Sequence, residues 1–410
     1  MQFLDSFGEP VYRYDGVGTL GLETSQNRRN IEVSYEVRQL ADGLVVVGWL
    51  THGFFISSEI RTLVGWVRQP RGRIEVRGLV PIQSEIGFPG VRFGIARAHD
   101  ARLEVRRLSK PMSSRAVFSM VNLTSEPWER NDFPFSVSYG NYRLSFSPLP
   151  GYQQVVERLC RVPGTAVTAR CVIERQDGAP IKPARAAQAV DSVSWALSLA
   201  TGTKVVWSTY ETASGDRLHR SSTTRPYSHR LAALGWRLDV DEAVSSWERA
   251  GAKPHLRPMI DYFMDATAEG PYLQTKALTA ASLLDALTNH WCVQNGLDLL
   301  VGDTLWRQAQ PKLRRAIRQA AANHGIDESI AGNVKSLQRR PFADKLERLL
   351  RRLNIQSDHL RDLVRLRNSL VHDGDFPPGV DRVRSYHQLV WTDLAILARL
   401  AGYKSTIFGM

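Results

Sequence analysis

The sequence is poor in cysteine. Cys160, Cys171 and Cys292 are the three it has in 410 residues, and no two fall at CxxC spacing. That spacing excludes a disulfide framework and a cysteine-built zinc cage, and it points to a reducing compartment. Long apolar runs are missing too. The longest, residues 44–50, is a strand's worth, far short of the roughly 18 residues that cross a bilayer as a helix. Met1-Gln2-Phe3-Leu4-Asp5 holds no basic stretch followed by an apolar one, so no secretory leader is expected and a cytoplasmic location is. No HxH, HExxH or acidic cluster suggests a bound metal, and no phosphate loop ending in Gly-Lys-Ser/Thr suggests nucleotide hydrolysis. The chain is therefore expected to work without a cofactor and without a membrane.

Aromatic residues are plentiful: 10 Trp, 12 Tyr and 14 Phe rule out disorder over most of the length. At about 100–200 residues per domain, a chain of this size should form two or three domains. Its formal charge is +12, enough to concentrate polyanions around it and make nucleic acid a plausible partner. Between Arg307 and Arg367 there are 15 Lys/Arg against 6 Asp/Glu, a local excess of 9. A row of solvated helix faces would account for that excess as well as an RNA-binding surface would.

The hydrophobic period changes along the chain. Residues 31–37 alternate apolar and polar as a half-buried strand does, and 44–50 read as a fully buried one. Strand patterns recur at 73–80, 116–121 and 166–173, punctuated by Pro70, Gly72, Pro150-Gly151 and Pro163-Gly164. Residues 1–180 are thus expected to form a β-rich sandwich or barrel. The GxGxxG at Gly16–Gly21 is not read as a dinucleotide site: polar residues precede it, and a strand rather than a helix follows. Asn122-Leu123-Thr124 is a glycosylation sequon in letters only.

Residues 181–257 mix helix (183–199, 240–249) with strand (204–211, 218–222) and end in the Gly/Pro cluster Gly251 to Pro258. From 258 to 410 the period is helical. Leu273, Ala277, Ala280, Leu284, Leu287 and Trp291 lie on one face of a long helix. Pro311 suits the first turn of a second helix and Pro341 opens a third. Ser357 suits the cap of a fourth that ends at Gly374, and a fifth follows. The fold class expected is α+β, with a β-rich N-terminal domain followed by an all-α C-terminal bundle.

On the fourth helix Arg367 falls in the middle of the apolar stripe formed by Leu360, Leu363, Val364, Leu370 and Val371. A guanidinium cannot shed its charge, so it must find a carboxylate in the bundle or emerge at a cleft or second subunit. Asp285 on the long first helix is a candidate partner. His372 lies five residues on, about 140° round an ideal helix, near the chain's turn at Asp373-Gly374. A histidine at a helix end often serves the dipole rather than catalysis.

The segment Arg367-Asn368-Ser369-Leu370-Val371-His372 resembles the R-x4-H motif of the HEPN superfamily, in which Asn commonly follows the Arg. The leading helix at 272–291, the Pro341-Phe342-Ala343-Asp344-Lys345-Leu346 helix start and the helix end at 367–374 are similar to the HEPN domains of ApeA-type anti-phage proteins. There too a β-rich domain precedes the helical one. The resemblance covers residues 258–410, and the N-terminal half in architecture alone.

It implies a metal-independent endoribonuclease acting as a toxin-like abortive-infection effector, a homodimer through the helical domain with Arg and His of two protomers meeting. RNA, tRNA included, would be the substrate, and the N-terminal domain would sense an unidentified trigger. His372 would be the general acid/base, Arg367 the electrostatic stabiliser of the phosphoryl oxygens and Asn368 a positioning group. Arg361 and Arg365 would hold flanking phosphates, although a solvated face explains them too. Two other readings stand beside it: a HEPN module that binds RNA or a nucleotide without cutting, and a bundle that only dimerises.

Overall fold

The computed structural model describes residues 12–407 apart from 24–27, 40–44, 52–59, 68–71, 87–91, 106–113, 125–132, 163, 213–216, 221–237, 252, 254, 269–271, 357 and 406. The chain divides into two compact units, Met1–Lys253 with Ser405–Met410, and Pro254–Lys404. It is an α+β protein, β-rich before this division and helical after it.

The first unit begins with six antiparallel strands: β1 (Tyr12–Glu23), β2 (Arg28–Gln39), β3 (Val45–Thr51), β4 (Ile60–Val67), β5 (Gly72–Ile86) and β6 (Arg92–Val105). Their order β3-β2-β1-β4-β5-β6 closes on itself because β3 also pairs with β6, Val45 opposite Ala98 through Thr51 opposite Arg92. Closure removes the free edges that invite pairing with other chains. Every second side chain points inward, so Val33, Tyr35 and Val37 share the barrel core with Leu20, Trp49 and Leu63.

The glycines of the GxGxxG stretch lie inside strand β1 and have a steric task. A Cβ at Gly16 would approach the Tyr35 hydroxyl at 2.8 Å, and one on Gly65 of β4 would sit 2.3 Å from Tyr35 Cε1. The bare backbone of the two strands is what lets the tyrosine ring fill the barrel.

The far end of β6, still paired with β5 on one side, pairs on the other from Arg102 to Val105 with β12 (Arg217–Arg220), so the sheet runs on from the barrel into a further set of antiparallel strands. From there β11 (Val206–Thr212), β7 (Arg115–Val121), β10 (Val167–Arg175), β9 (Tyr142–Pro148) and β8 (Phe135–Tyr139) follow in spatial order. Three helices accompany this sheet: α1 (Tyr152–Arg161), α2 (Pro183–Thr201) and α3 (Val240–Arg249). α2 is buried on most sides, packs on β11 and α3, and stops at Gly202 with φ +67°. Asp239 caps α3 by accepting from the Glu242 N–H at 2.7 Å. The segment set apart in the sequence as 181–257 thus contributes two strands to the sheet of the first unit.

Asn122, the sequon residue, is fully buried with φ +58°, and its side-chain oxygen accepts from the Ala166 N–H at 3.2 Å. Its amide is spent on holding β7 to β10, out of reach of any glycan.

The second unit contains α4 (Leu256–Thr267), α5 (Leu273–Gln294), α6 (Asp303–Asn323), a 3₁₀ segment (Glu328–Gln338), α7 (Phe342–Arg352), α8 (Leu360–Asn368) and α9 (Arg382–Leu400). α5 is the central helix, in contact with α4, α7, α8 and α9. Its buried positions therefore extend beyond one stripe, to Ala281, Leu283, Thr288 and Cys292. Tyr386 of α9 donates to the Ala266 carbonyl at 2.8 Å, fixing α9 to the end of α4.

Pro311 corrects one expectation. It sits inside α6, which starts eight residues earlier at Asp303, rather than opening a helix. Its missing N–H forfeits one intrahelical bond, which the exposed helix tolerates. Ser357 lies outside the described residues, and His359 occupies the cap position of α8. Among the described residues no helix is long and apolar enough to cross a membrane.

Candidate functional site

α8 buries Leu363 and Leu366 against its neighbours and carries the predicted site residues toward its C-terminal end. It does not end as an ordinary α-helix. Ser369–Asp373 form a π-helical turn, closed by Gly374 in the left-handed conformation (φ +73°), whose N–H reaches the Leu370 carbonyl at 3.2 Å. π-turns bond residues five apart and are frequent at functional sites. On an α-helix Arg367 and His372 would point about 140° apart. The wider turn takes up an extra residue, so His372 does not emerge at the angle an unbroken α-helix would give it.

An open groove of about 760 Å³ runs along this end of the helix. Its polar lining includes Arg361, Arg365, Asn368, Ser369, His372 and Asp373. Ala343 of α7, Leu360, Val364, Pro377 and Pro378 supply the apolar wall. Four of the six residues singled out in the sequence thus share one concave surface: His372, Asn368, Arg361 and Arg365.

Arg367 is placed differently. It is 12% exposed and is not among the lining residues. Its Nη2 donates to Asp285 Oδ1 at 2.6 Å, and its Nη1 donates to Asn368 Oδ1 at 2.9 Å. The guanidinium carbon stands 4.6 Å over the ring of Phe342. Its Nε is buried and has no partner among the described residues. The arginine is therefore fixed from three sides, a carboxylate, an amide and an aromatic face, with its Nε unpartnered among the described residues.

Asn368 links the two layers. It lines the groove and gives its oxygen to Arg367, so what it has to offer a ligand in the groove is the N–H of its amide. The site therefore presents donors and cations, with Asp373 the one carboxylate in its lining. Such a surface suits an anion, and the imidazole beside it can move a proton.

Sequence reasoning missed the groove's apolar wall and the shelf under Arg367. Pro341-Phe342 is visible in the sequence only as a helix start; the arginine facing Phe342 comes from a helix packed against α7.

A family model of the YopA central domain matches residues 110–219. That is just over a quarter of the chain, all of it in the first unit, spanning β7 to β11 and most of β12. No curated protein and no solved structure matches the chain. The matched stretch holds none of the groove residues. Among the described residues no group of three or more His, Cys, Asp or Glu is arranged to hold a metal ion.

Proposed function

We propose that the second unit is a metal-independent endoribonuclease of HEPN type, cutting RNA by attack of a 2′-hydroxyl on the adjacent phosphate. The observation that supports this most is the groove itself. His372, Asn368, Arg361 and Arg365 line it together, and Asn368 is bonded to the partly buried Arg367. In this reading His372 transfers the proton, Asn368 donates to a phosphoryl oxygen, and Arg361 and Arg365 hold neighbouring phosphates. Arg367, set behind Asn368, supplies positive charge to the phosphate, with its Nε unpartnered among the described residues.

The reading includes a homodimer, in which a second copy brings its own Arg and His to the open side of the groove. The barrel and the strands beyond it would then sense a trigger, and RNA cleavage would serve a toxin-like defence role. Both parts rest on the HEPN resemblance and on the order of the two units.

Purified full-length protein incubated with total RNA in EDTA should yield discrete fragments, and His372→Ala protein should yield none. One observation favours the alternative, a module that binds RNA or a nucleotide without cutting it. Arg367 is held by Asp285 and is absent from the groove lining. Binding without fragments would establish that alternative.

A further inference from the structure

The excess of positive charge between Arg307 and Arg367 divides into two kinds according to what each cation faces. On and beside α7 three cations are paired, Arg340 and Arg348 with Asp344 and Arg351 with Glu347, while Arg339 and Arg352 have no carboxylate partner among the described residues. On α6 none is paired. That helix holds Arg307, Lys312, Arg314, Arg315 and Arg318 against the single acid Asp303, whose Oδ1 is occupied by Gln338 Nε2 at 2.7 Å. None of the five cations has a carboxylate partner among the described residues. Among the described residues Arg314 alone of the five makes a side-chain hydrogen bond, from Nε to the Ala331 carbonyl at 3.3 Å.

α6 is not a core helix. Of its 21 residues only Trp306 and Ala321 are buried, and its packing partner is the 3₁₀ segment. The two form an arm whose ends are stapled together. Leu300 N–H donates to the Gln338 carbonyl at 2.8 Å, Arg340 N–H to the Asp298 carbonyl at 2.9 Å, and Arg340 Nε to the Leu297 carbonyl at 2.9 Å. Arg340 also bonds Asp344 at 2.6 Å. Directly after this staple come Phe342, the shelf of Arg367, and Ala343, part of the groove wall. The arm's base and the groove share one piece of chain.

At about 100° per residue Arg307, Arg314 and Arg318 fall within roughly 40° of one another, with Arg315 a further 60° or so round. They make a stripe at intervals of two turns and one turn. The apolar side of α6, with Trp306, Ile317 and Ala321, lies against the 3₁₀ segment. On the side away from the stripe Leu305 and Leu313 are exposed, 64% and 39%, so two large apolar side chains are what this helix offers a bilayer, far fewer than the continuous apolar face of a membrane-surface helix. Guanidinium groups that lack carboxylate partners among the described residues and recur along an exposed helix suit a chain of phosphates.

We infer that the arm formed by α6 and the 3₁₀ segment binds the phosphate backbone of a single RNA strand whose scissile part lies in the groove. The inference rests on the ribonuclease reading for the position of that strand, and on the arm alone for its binding.

The test uses full-length His372→Ala protein, so that nothing is cut, and a fluorescent single-stranded 20-mer RNA titrated between 50 and 200 mM salt. Replacing Arg307, Arg314, Arg315 and Arg318 with Gln should weaken binding tenfold or more. It should also lower the log–log salt slope by about 3, at roughly 0.7 for each phosphate that is no longer neutralised. The control Arg348→Gln/Arg351→Gln, which removes paired cations, should change neither. Equal affinity and slope in the arm variant would overturn the proposal, as would an equal loss in the control.

Loss of binding to phosphatidylserine vesicles with RNA binding intact would also overturn it, in favour of a membrane. A change from dimer to monomer with RNA binding intact would overturn it in favour of a second copy. Cleavage by the wild-type protein is read separately. If RNA is cut and the arm variant binds normally, the arm proposal alone fails; if RNA is never cut but the arm variant loses binding, the ribonuclease reading alone fails.

Discussion

Arg367 and Asp285 meet at 2.6 Å between neighbouring helices, the arginine 12% and the aspartate 31% exposed. A guanidinium in the middle of an apolar stripe is thereby made compatible with the bundle, at the cost of desolvating both charges. Removing one partner is worse than removing both. Asp285→Ala leaves the arginine without its carboxylate and should cost about 1–3 kcal/mol of stability, discounted for the aspartate's partial exposure. Asp285→Ala combined with Arg367→Met should cost less than Asp285→Ala alone. Thermal melts of the four proteins in a double-mutant cycle check this; additive losses would mean that the pair is uncoupled.

His372 is exposed, and nothing in the core depends on it. His372→Ala should leave the melting temperature within a degree or two of wild type while slowing RNA cleavage by about 10²–10⁴. Arg367→Lys should rescue poorly, because an ammonium cannot bond Asp285 and Asn368 with the spread of a planar fork. Single-turnover rates on one RNA separate the two effects, and cleavage by His372→Ala at the wild-type rate would remove the motif from the mechanism.

A composite site requires two copies. Full-length protein at micromolar concentration should scatter light as a dimer of a 46.1 kDa chain. A monomer that nevertheless cleaves RNA would show that one groove suffices.

What could be read from the sequence is what short-range pattern encodes. α3 occupies 240–249 as its period predicts, and the strand at 116–121 appears as β7 with one further residue. Arg367 was recognisable as a charge needing a carboxylate because its place in the stripe follows from 3.6 residues per turn. The closure of the barrel was not legible: β3 pairs with β6, about fifty residues on, and nothing local specifies a partner so distant. Nor was the π-turn, since Ser369-Leu370-Val371 would serve an α-helix equally well, so the side on which His372 emerges had to come from the structure. Pro311 misled because proline marks first turns, whereas α6 starts at Asp303 and carries the proline within an exposed stretch.

The barrel offers a test of packing. Gly65→Ala would put a methyl 2.3 Å from Tyr35 Cε1, so the buried ring or the strand must shift to admit it. The expected loss is about 1–3 kcal/mol, read as a lower denaturant midpoint. Tyr35→Phe goes the other way. The Tyr35 hydroxyl is buried without a partner among the described residues, so deleting it should leave stability unchanged or raised. A loss from Tyr35→Phe as large as that from Gly65→Ala would mean that the hydroxyl, rather than the ring, is what the barrel needs.

Asp393 gives the bundle a pH dependence whose sign can be worked out. It lies on α9, fully buried, and neither carboxylate oxygen has a partner among the described residues. Burial pushes its pKa well above the ordinary 3.8, so the folded protein keeps the proton where the unfolded chain releases it. Between 3.8 and the raised value the folded state therefore binds more protons than the unfolded one, and stability falls as pH rises. The slope from one such group approaches about 1.4 kcal/mol per pH unit. Asp393→Asn keeps the shape and an unpartnered amide but has no proton to lose. The variant should flatten the decline in melting temperature between pH 5 and pH 8, becoming more stable than wild type at the upper end. Parallel wild-type and Asp393→Asn curves across that range would show that the carboxyl is charged inside the fold and is held by a partner.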